Sequence, residues 1–360
     1  MLMISFTSFV GAEGFNLEGE IKSRLEIGIK EYEIPRLSNN LKLDLEYYSF
    51  HSGLAKAVLQ ISDIDGDEVN LKEVYTELYL PKTDLRIGKQ KINWGKADGV
   101  NPTNNFNPED LTRSFRDDNK IAVSAVRAKY YNQDWIFDFV WAPNFTAPNF
   151  GESDDRWSFL LPNKAVMPED SLENSEFGIR ASNWGTKIDF SFSYFRGYSK
   201  EPYISNIGEL KFYRVNSIGG DFAMDFGSFV IRGEGAYFKP IEEIKYKEPY
   251  YKFILGVDKN FTDKLYVNTQ YYRQKEGEIN AAQKIILSTE YKITNFKKLG
   301  LNAVYNLEDE DYIINPTYVM DIRDNVSLSL GGYIFVGKKD TEYGRLDNKD
   351  YCYVELQNSF

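Results

Sequence analysis

Residues 14–30 read GFNLEGEIKSRLEIGIK. Phe15, Leu17, Ile21, Leu25, Ile27 and Ile29 are apolar, and Glu18, Glu20, Lys22, Arg24, Glu26 and Lys30 fall between them. Side chains on a strand point alternately to its two faces, so this segment has one oily face and one ionised face. It is also far longer than the usual strand of about 5–6 residues. A fold for this chain must therefore offer apolar surroundings on one side of a long sheet and water on the other.

The same alternation recurs along the chain. Leu41, Leu43, Leu45 and Tyr47 oppose Lys42, Asp44 and Glu46, and Val74, Thr76, Leu78 and Leu80 oppose Glu73, Tyr75, Glu77 and Tyr79. Trp135, Phe137, Phe139 and Trp141 continue it, then Ile188, Phe190, Phe192 and Tyr194, and Leu265, Val267, Thr269 and Tyr271, with Val326, Leu328 and Leu330 near the end. No helical period of 3.6 persists. Counting segments predicts an all-β chain of about 18 strands, within a range of 16–18.

The connections sharpen this. Every second one is a tight polar turn, at 51–53, 81–84, 132–134, 182–186, 225–228, 260–263, 295–298 and 323–325. The alternate ones, at 31–40, 62–70, 93–120, 143–173, 197–211, 239–249, 274–283 and 338–348, are longer, with 306–311 the short exception. Short turns at one end and long loops at the other characterise outer-membrane barrels. The expectation is a closed antiparallel transmembrane β-barrel, an up-and-down meander, with apolar rows facing lipid and polar rows facing a wet lumen. The surroundings are then the bacterial outer membrane with its lipids and lipopolysaccharide.

Composition excludes several alternatives. Forty-three Lys and Arg against 54 Asp and Glu give a net charge of −11, which argues against nucleic acid as a partner. One Cys, Cys352, and one His, His51, leave no disulfide and almost no metal site built on those residues. Ser62 to Glu68 has the acidity of a calcium loop without its spacing, so neither metal nor cofactor is expected. Catalysis by a histidine would have to use His51, in a turn. Residues 1–12, MLMISFTSFVGA, read as the remnant of a signal peptide lacking its basic region, with the barrel over 13–360. No plug domain is expected before the first strand. The final YCYVELQNSF alternates and ends in Phe360, which resembles the signal that barrels present to the outer-membrane assembly machinery.

One segment, residues 86–120, departs from the alternation. Asn101-Pro102 and Asn107-Pro108 are turn initiators, and Asn107-Pro108-Glu109-Asp110 reads as a helix start with an Asn cap. The loop at 93–120 is expected to fold inward and narrow the pore. Gly88, Gln90, Asn93-Trp94-Gly95, Asp98-Gly99, Asn101-Pro102-Thr103-Asn104 and Asn107-Pro108 resemble a motif of porin-like outer-membrane proteins of Gram-negative bacteria, alginate-export-type barrels among them. The resemblance spans about 25 residues and implies a barrel of about 18 strands that passes polyanionic or small solutes.

Wet-face ionisable residues include Arg24, Arg86, Arg127, Lys129, Glu176, Arg180, Arg232 and Glu234, and Lys96, Asp98, Arg113, Arg116, Asp117 and Asp118 come from the loop. Facing walls of opposite charge would select solutes; equally, these residues can be neutralising pairs on a solvated wall. Trp94 and Trp157 are candidates for stacking on sugars. Trp135, Trp141, Tyr194, Tyr237 and Tyr271 are expected at the membrane interfaces. The function expected is a porin or channel for passive diffusion of small hydrophilic solutes or ions, saccharides among them, and not an enzyme. A non-conducting structural or surface barrel and an outer-membrane hydrolase are the alternatives.

Overall fold

A computed structural model describes residues 14–29, 35–49, 53–62, 68–111, 120–150, 165–185, 187–205, 208–241, 248–277 and 280–360. The signal-peptide reading, His51, the acidic run Asp63 to Asp67, the loop charges Arg113, Arg116, Asp117 and Asp118, and Trp157 lie outside the described residues.

The chain forms a closed antiparallel barrel of 18 strands in meander order. Its first strands are β1 (Phe15–Gly28), β2 (Arg36–Ser49), β3 (Gly53–Ser62), β4 (Glu68–Leu80), β5 (Thr83–Gln90), β6 (Val123–Asn132) and β7 (Trp135–Ala142). The two-residue β8 (Ala165–Val166) precedes β9 (Glu176–Trp184) and β10 (Ile188–Tyr198). Two more short strands, β11 (Tyr203–Ile204) and β12 (Leu210–Lys211), form with β8 a small separate sheet. The barrel continues through β13 (Arg214–Asp225), β14 (Phe229–Pro240), β15 (Tyr250–Asn260), β16 (Leu265–Glu276) and β17 (Asn280–Thr294). It ends with β18 (Lys297–Asn306), β19 (Asp311–Arg323), β20 (Val326–Val336) and β21 (Tyr351–Ser359). Closure is made by β1, which pairs with β2 from Phe15↔Tyr47 to Glu26↔Arg36 and with β21 from Glu20↔Ser359 to Gly28↔Tyr351. A sheet closed in this way leaves no edge strand to be satisfied by water.

The alternation read from the sequence is the alternation of exposure. Phe15, Leu17, Ile21 and Ile27 are exposed on β1, whereas Glu26 is 2% exposed. On β10 and β13, Phe192 and Ile218 are 64% and 65% exposed, while Ser191, Ser193, Ser217 and Asp221 are buried. This inverts the order of a water-soluble protein, in which large apolar side chains fill the interior. Rows of exposed Leu, Ile, Val and Phe are stable only against an apolar solvent. Of the five aromatics expected at the interfaces, Trp141 and Tyr237 are exposed, and Trp135, Tyr194 and Tyr271 are half-buried.

The tight turns stand where the alternation breaks, at 81–82, 133–134, 226–228, 261–264, 295–296 and 324–325. β2 and β4 begin inside the loops expected at 31–40 and 62–70, at Arg36 and Glu68, and the connection expected at 274–283 is likewise short, because β16 runs to Glu276 and β17 resumes at Asn280. The polar run there is still strand, because alternation continues beyond the apolar band, with Tyr272 donating to Gln274 at 2.8 Å and Tyr271 to Gln283 at 2.5 Å.

Contacts divide the chain into two compact units: Met1–Val74, Val257–Tyr271 and Ala282–Phe360 make one, and Tyr75–Gly256 with Tyr272–Ala281 the other. In the first, the 3-10 turn Gly344–Lys349 precedes β21. Buried Asp311 accepts from the Tyr343 amide at 2.6 Å, and Asp350 accepts from the Phe335 amide at 2.8 Å. The second unit holds an apolar cluster that alternation alone did not reveal. Val123, Ala125, Val140, Ala142, Phe195, Val215, Ala236 and Phe238 lie on the same faces as the buried polar residues, and Ile92, Trp94 and Phe106 of the loop between β5 and β6 cover them.

Candidate functional site

The loop after β5 is built from side chains that replace backbone partners. Gln90, fully buried, donates to the Ala125 carbonyl at 2.9 Å. Asn107 accepts from the Ile92 amide at 2.6 Å and donates to the Ile121 carbonyl at 2.8 Å, so one side chain ties the two ends of the loop. It therefore does not act as the expected cap: Glu109 and Asp110 form isolated bridges with Lys120 and Asn149 in place of a first helical turn. Pro108, buried behind it, accepts at its carbonyl from Ile121 at 2.8 Å. Asn101-Pro102-Thr103-Asn104 is a turn, with the Asn104 amide on the Asn101 carbonyl at 3.0 Å. Proline's fixed φ suits the second position of such a turn.

Trp94 is 2% exposed, so it is not a surface on which sugars stack. Its ring meets Phe106 edge-on at 5.4 Å, and Phe106 meets Phe195 at 4.9 Å. Its indole N–H donates to Asp138 of β7 at 3.0 Å. Small residues below admit these rings: a Cβ on Gly178 would stand 2.8 Å from the Trp94 ring, and one on Gly219 would stand 2.8 Å from Thr103. Gly88 sits within β5 opposite Ala125.

Gly95 follows Trp94 at φ +97°, a conformation that L side chains rarely adopt. A Cβ there would stand 2.7 Å from the Glu234 carboxyl carbon. Glu234, on β14 and 4% exposed, accepts from the amides of Lys96 at 3.0 Å, Ala97 at 3.2 Å and Thr103 at 2.8 Å. The Thr103 hydroxyl adds a bond at 2.9 Å and Asn101 a longer one at 3.4 Å. Successive amides converging on one anion make a nest, here filled by the protein's own carboxylate.

Beside this clasp lies a cavity of about 700 Å³, lined by Lys96 and Asp98 of the loop, Arg180, Trp184, Asp189, Asp225 and Arg232 of the strands, and Lys187 of the turn between β9 and β10. Lys96 stands 3.4 Å from Asp189. Arg180 binds Ser191 and Asp221, each at 2.9 Å, and Ser191 donates to Asp221. Lys96, Asp98, Arg180 and Arg232, four of the residues selected from the sequence, thus meet at one cavity, and Glu234 lies beneath the loop where it cannot meet a solute.

The other arginines selected from these strands, Arg24, Arg86 and Arg127, stand elsewhere, and like Arg180 each lies against a carboxylate. Arg127 binds Asp138 through two nitrogens, at 2.9 and 2.5 Å. Arg86 binds Glu77 at 2.7 Å and lies 4.2 Å above the Tyr75 ring. Arg24 binds Glu355 at 2.7 Å and lies 4.2 Å above Tyr353. Sequence reasoning passed over Lys187, Asp189, Asp221 and Lys200. Lys200 reaches fully buried Glu176 at 2.8 Å and lies 4.4 Å from the Phe145 ring. Burial pushes the Lys200 ammonium below the usual lysine range, and Glu176 opposes that shift. Asp189 alternates with the named apolar residues Ile188 and Phe190, and that alternation was its signal; Lys187 and Lys200 lie in connections, where parity gives none.

Comparison with protein-family models and with curated protein sequences yields no match. Among solved structures, the chain is similar to OccK3 (OpdO) of Pseudomonas aeruginosa, with a TM-score of 0.63, 10% identity, and coverage of 96% of this chain and 95% of that one. It is similar to OccK11 (OpdR) of the same organism, with a TM-score of 0.61, 9% identity and 97% coverage of both chains. Outer-membrane expressed OmpT of Vibrio cholerae gives a TM-score of 0.52 at 10% identity, covering 98% of this chain and 100% of that one. None of the three is described as an alginate-export barrel. At this identity the likeness is one of fold alone, a closed antiparallel β-barrel.

Proposed function

We propose that this chain is an outer-membrane channel through which small hydrophilic solutes or ions diffuse passively. The observation that carries the reading is the inverted barrel: exposed apolar rows such as Phe192 and Ile218 back onto buried polar rows such as Ser191 and Asp221. A sheet of this kind suits a bilayer outside and polar traffic inside, and barrels of about 16–18 strands are wide enough for an aqueous channel. The loop at 93–120 narrows that channel, with Lys96 and Asp98 beside Arg180 and Arg232 as its selective groups. Arg24, Arg86, Arg127 and Arg180 are each held by a carboxylate and Lys96 lies beside Asp189, so the wall carries little uncompensated positive charge from them. This arrangement favours polar or zwitterionic solutes, saccharides included, over polyanions. The alginate-export kinship rests on the loop motif alone, and the proposal does not require it.

The assembly machinery reads the end of β21, where the Phe360 N–H donates to the Gly19 carbonyl at 2.9 Å and the Gly19 N–H donates to the Phe360 carbonyl at 2.8 Å. The deciding measurement is planar-bilayer conductance of the purified protein. Discrete steps are expected, with reversal potentials in a salt gradient reporting charge preference, and deletion of residues 99–118 is expected to enlarge them. The apolar packing of Ile92, Trp94 and Phe106 against the wall favours a plugged barrel as the second reading. Absence of steps before and after that deletion would leave a structural role.

A further inference from the structure

We propose that Glu234 is a positioning residue of this channel: it never meets the solute, and its carboxylate holds the loop backbone so that Lys96 and Asp98 stand at the cavity. The proposal rests on the channel reading and adds to it the group that fixes the selective residues.

The side chains of one face of β14 are, in order, Arg232, Glu234, Ala236 and Phe238. Arg232 lines the cavity, Ala236 and Phe238 belong to the apolar cluster under the loop, and Glu234 stands at the boundary between them. Both its oxygens are used: one accepts from the Lys96 and Ala97 amides, the other from the Thr103 amide and hydroxyl. The contacted residues flank Asp98, and the amide of Lys96 is itself held, so the direction of both side chains follows from the clasp. Lys96 then lies 3.4 Å from Asp189. Every group facing the carboxylate is a donor. An anion is the one occupant of that position whose atoms can all accept. Gly95 supports the assignment, since a side chain there would collide with the carboxylate.

Glu234→Gln keeps the size and replaces one acceptor by an N–H₂ that faces donors. The first readout is hydrogen exchange at the Lys96, Ala97 and Thr103 amides of the folded protein, which needs no conduction. Exchange is expected to quicken by about tenfold or more, the scale of one lost charge-assisted hydrogen bond. The second is the reversal potential across a salt gradient. Glu234→Gln should alter selectivity and add current noise, whereas Lys96→Met, which removes a charge and keeps the clasp, should shift selectivity with quiet steps. Unchanged exchange at all three amides would overturn the proposal, as would faster exchange with an unaltered reversal potential. A wild-type protein that passes no current would remove the channel reading, and the exchange experiment would still decide whether Glu234 holds the loop.

Discussion

Trp94 and Asp138, 44 positions apart in the chain, are joined by a 3.0 Å hydrogen bond from the indole to the carboxylate that also holds Arg127. One buried acid therefore serves a loop and a strand at once, and its loss is felt by both.

Arg127→Met leaves the Asp138 carboxylate buried without its guanidinium, which costs about 3–5 kcal/mol. Adding Asp138→Leu removes the stranded charge and leaves the Trp94 indole unpaired, a penalty of about 1–3 kcal/mol. The double variant is thus expected to be more stable than the single one. Urea unfolding of the refolded barrel would reveal the order of the two midpoints.

Orientation of the strands can be tested on neighbouring residues of β20. Leu330 is exposed and pairs with Val354, whereas Ser329 pairs with Glu355 on the polar face. Leu330→Arg is expected to destabilise folding into bilayers by about 2–4 kcal/mol, the cost of an arginine facing the middle of the lipid. Ser329→Arg should cost much less. Equal penalties in a lipid-folding titration would mean that the faces are assigned the wrong way.

Charge at the cavity should be read electrically. Lys96→Glu and Arg232→Glu are each expected to move the reversal potential toward cation preference. The shift should be larger in dilute salt, because the screening length is about 30 Å at 0.01 M and about 3 Å at 1 M. The matching change at Arg24, paired with Glu355, should act less on selectivity than on stability.

Lys200→Met strands Glu176, whose carboxylate is fully buried and otherwise held by the Tyr198 amide at 2.8 Å. A loss of about 3–5 kcal/mol follows, visible as earlier unfolding in heated gel-shift assays. Glu176→Gln with Lys200→Met should recover part of it.

The barrel was legible because its lipid-facing rows keep a period of two over long segments, as in Phe15, Leu17 and Ile21, with small residues such as Gly19 and Ser23 on the same row. The loop was legible only as a place. Asn107 before Pro108 has the local grammar of a helix cap, yet its side chain is claimed by Ile92 and Ile121. Trp94 looked available for sugars because its partner, Asp138, lies on a different strand. Glu234 resembled any other wall charge, since its donors come from residues more than 130 positions earlier. Short-range patterns report faces and turns; they do not report which distant donor a carboxylate will find.

The pairing of β1 with β21 also carries a kinetic meaning. A growing chain has no cylinder to complete until its final segment arrives, and each partial sheet would expose two adhesive margins to its neighbours. Closure therefore waits for β21, and until it pairs, the free edge of β1 is an unsatisfied row of donors and acceptors.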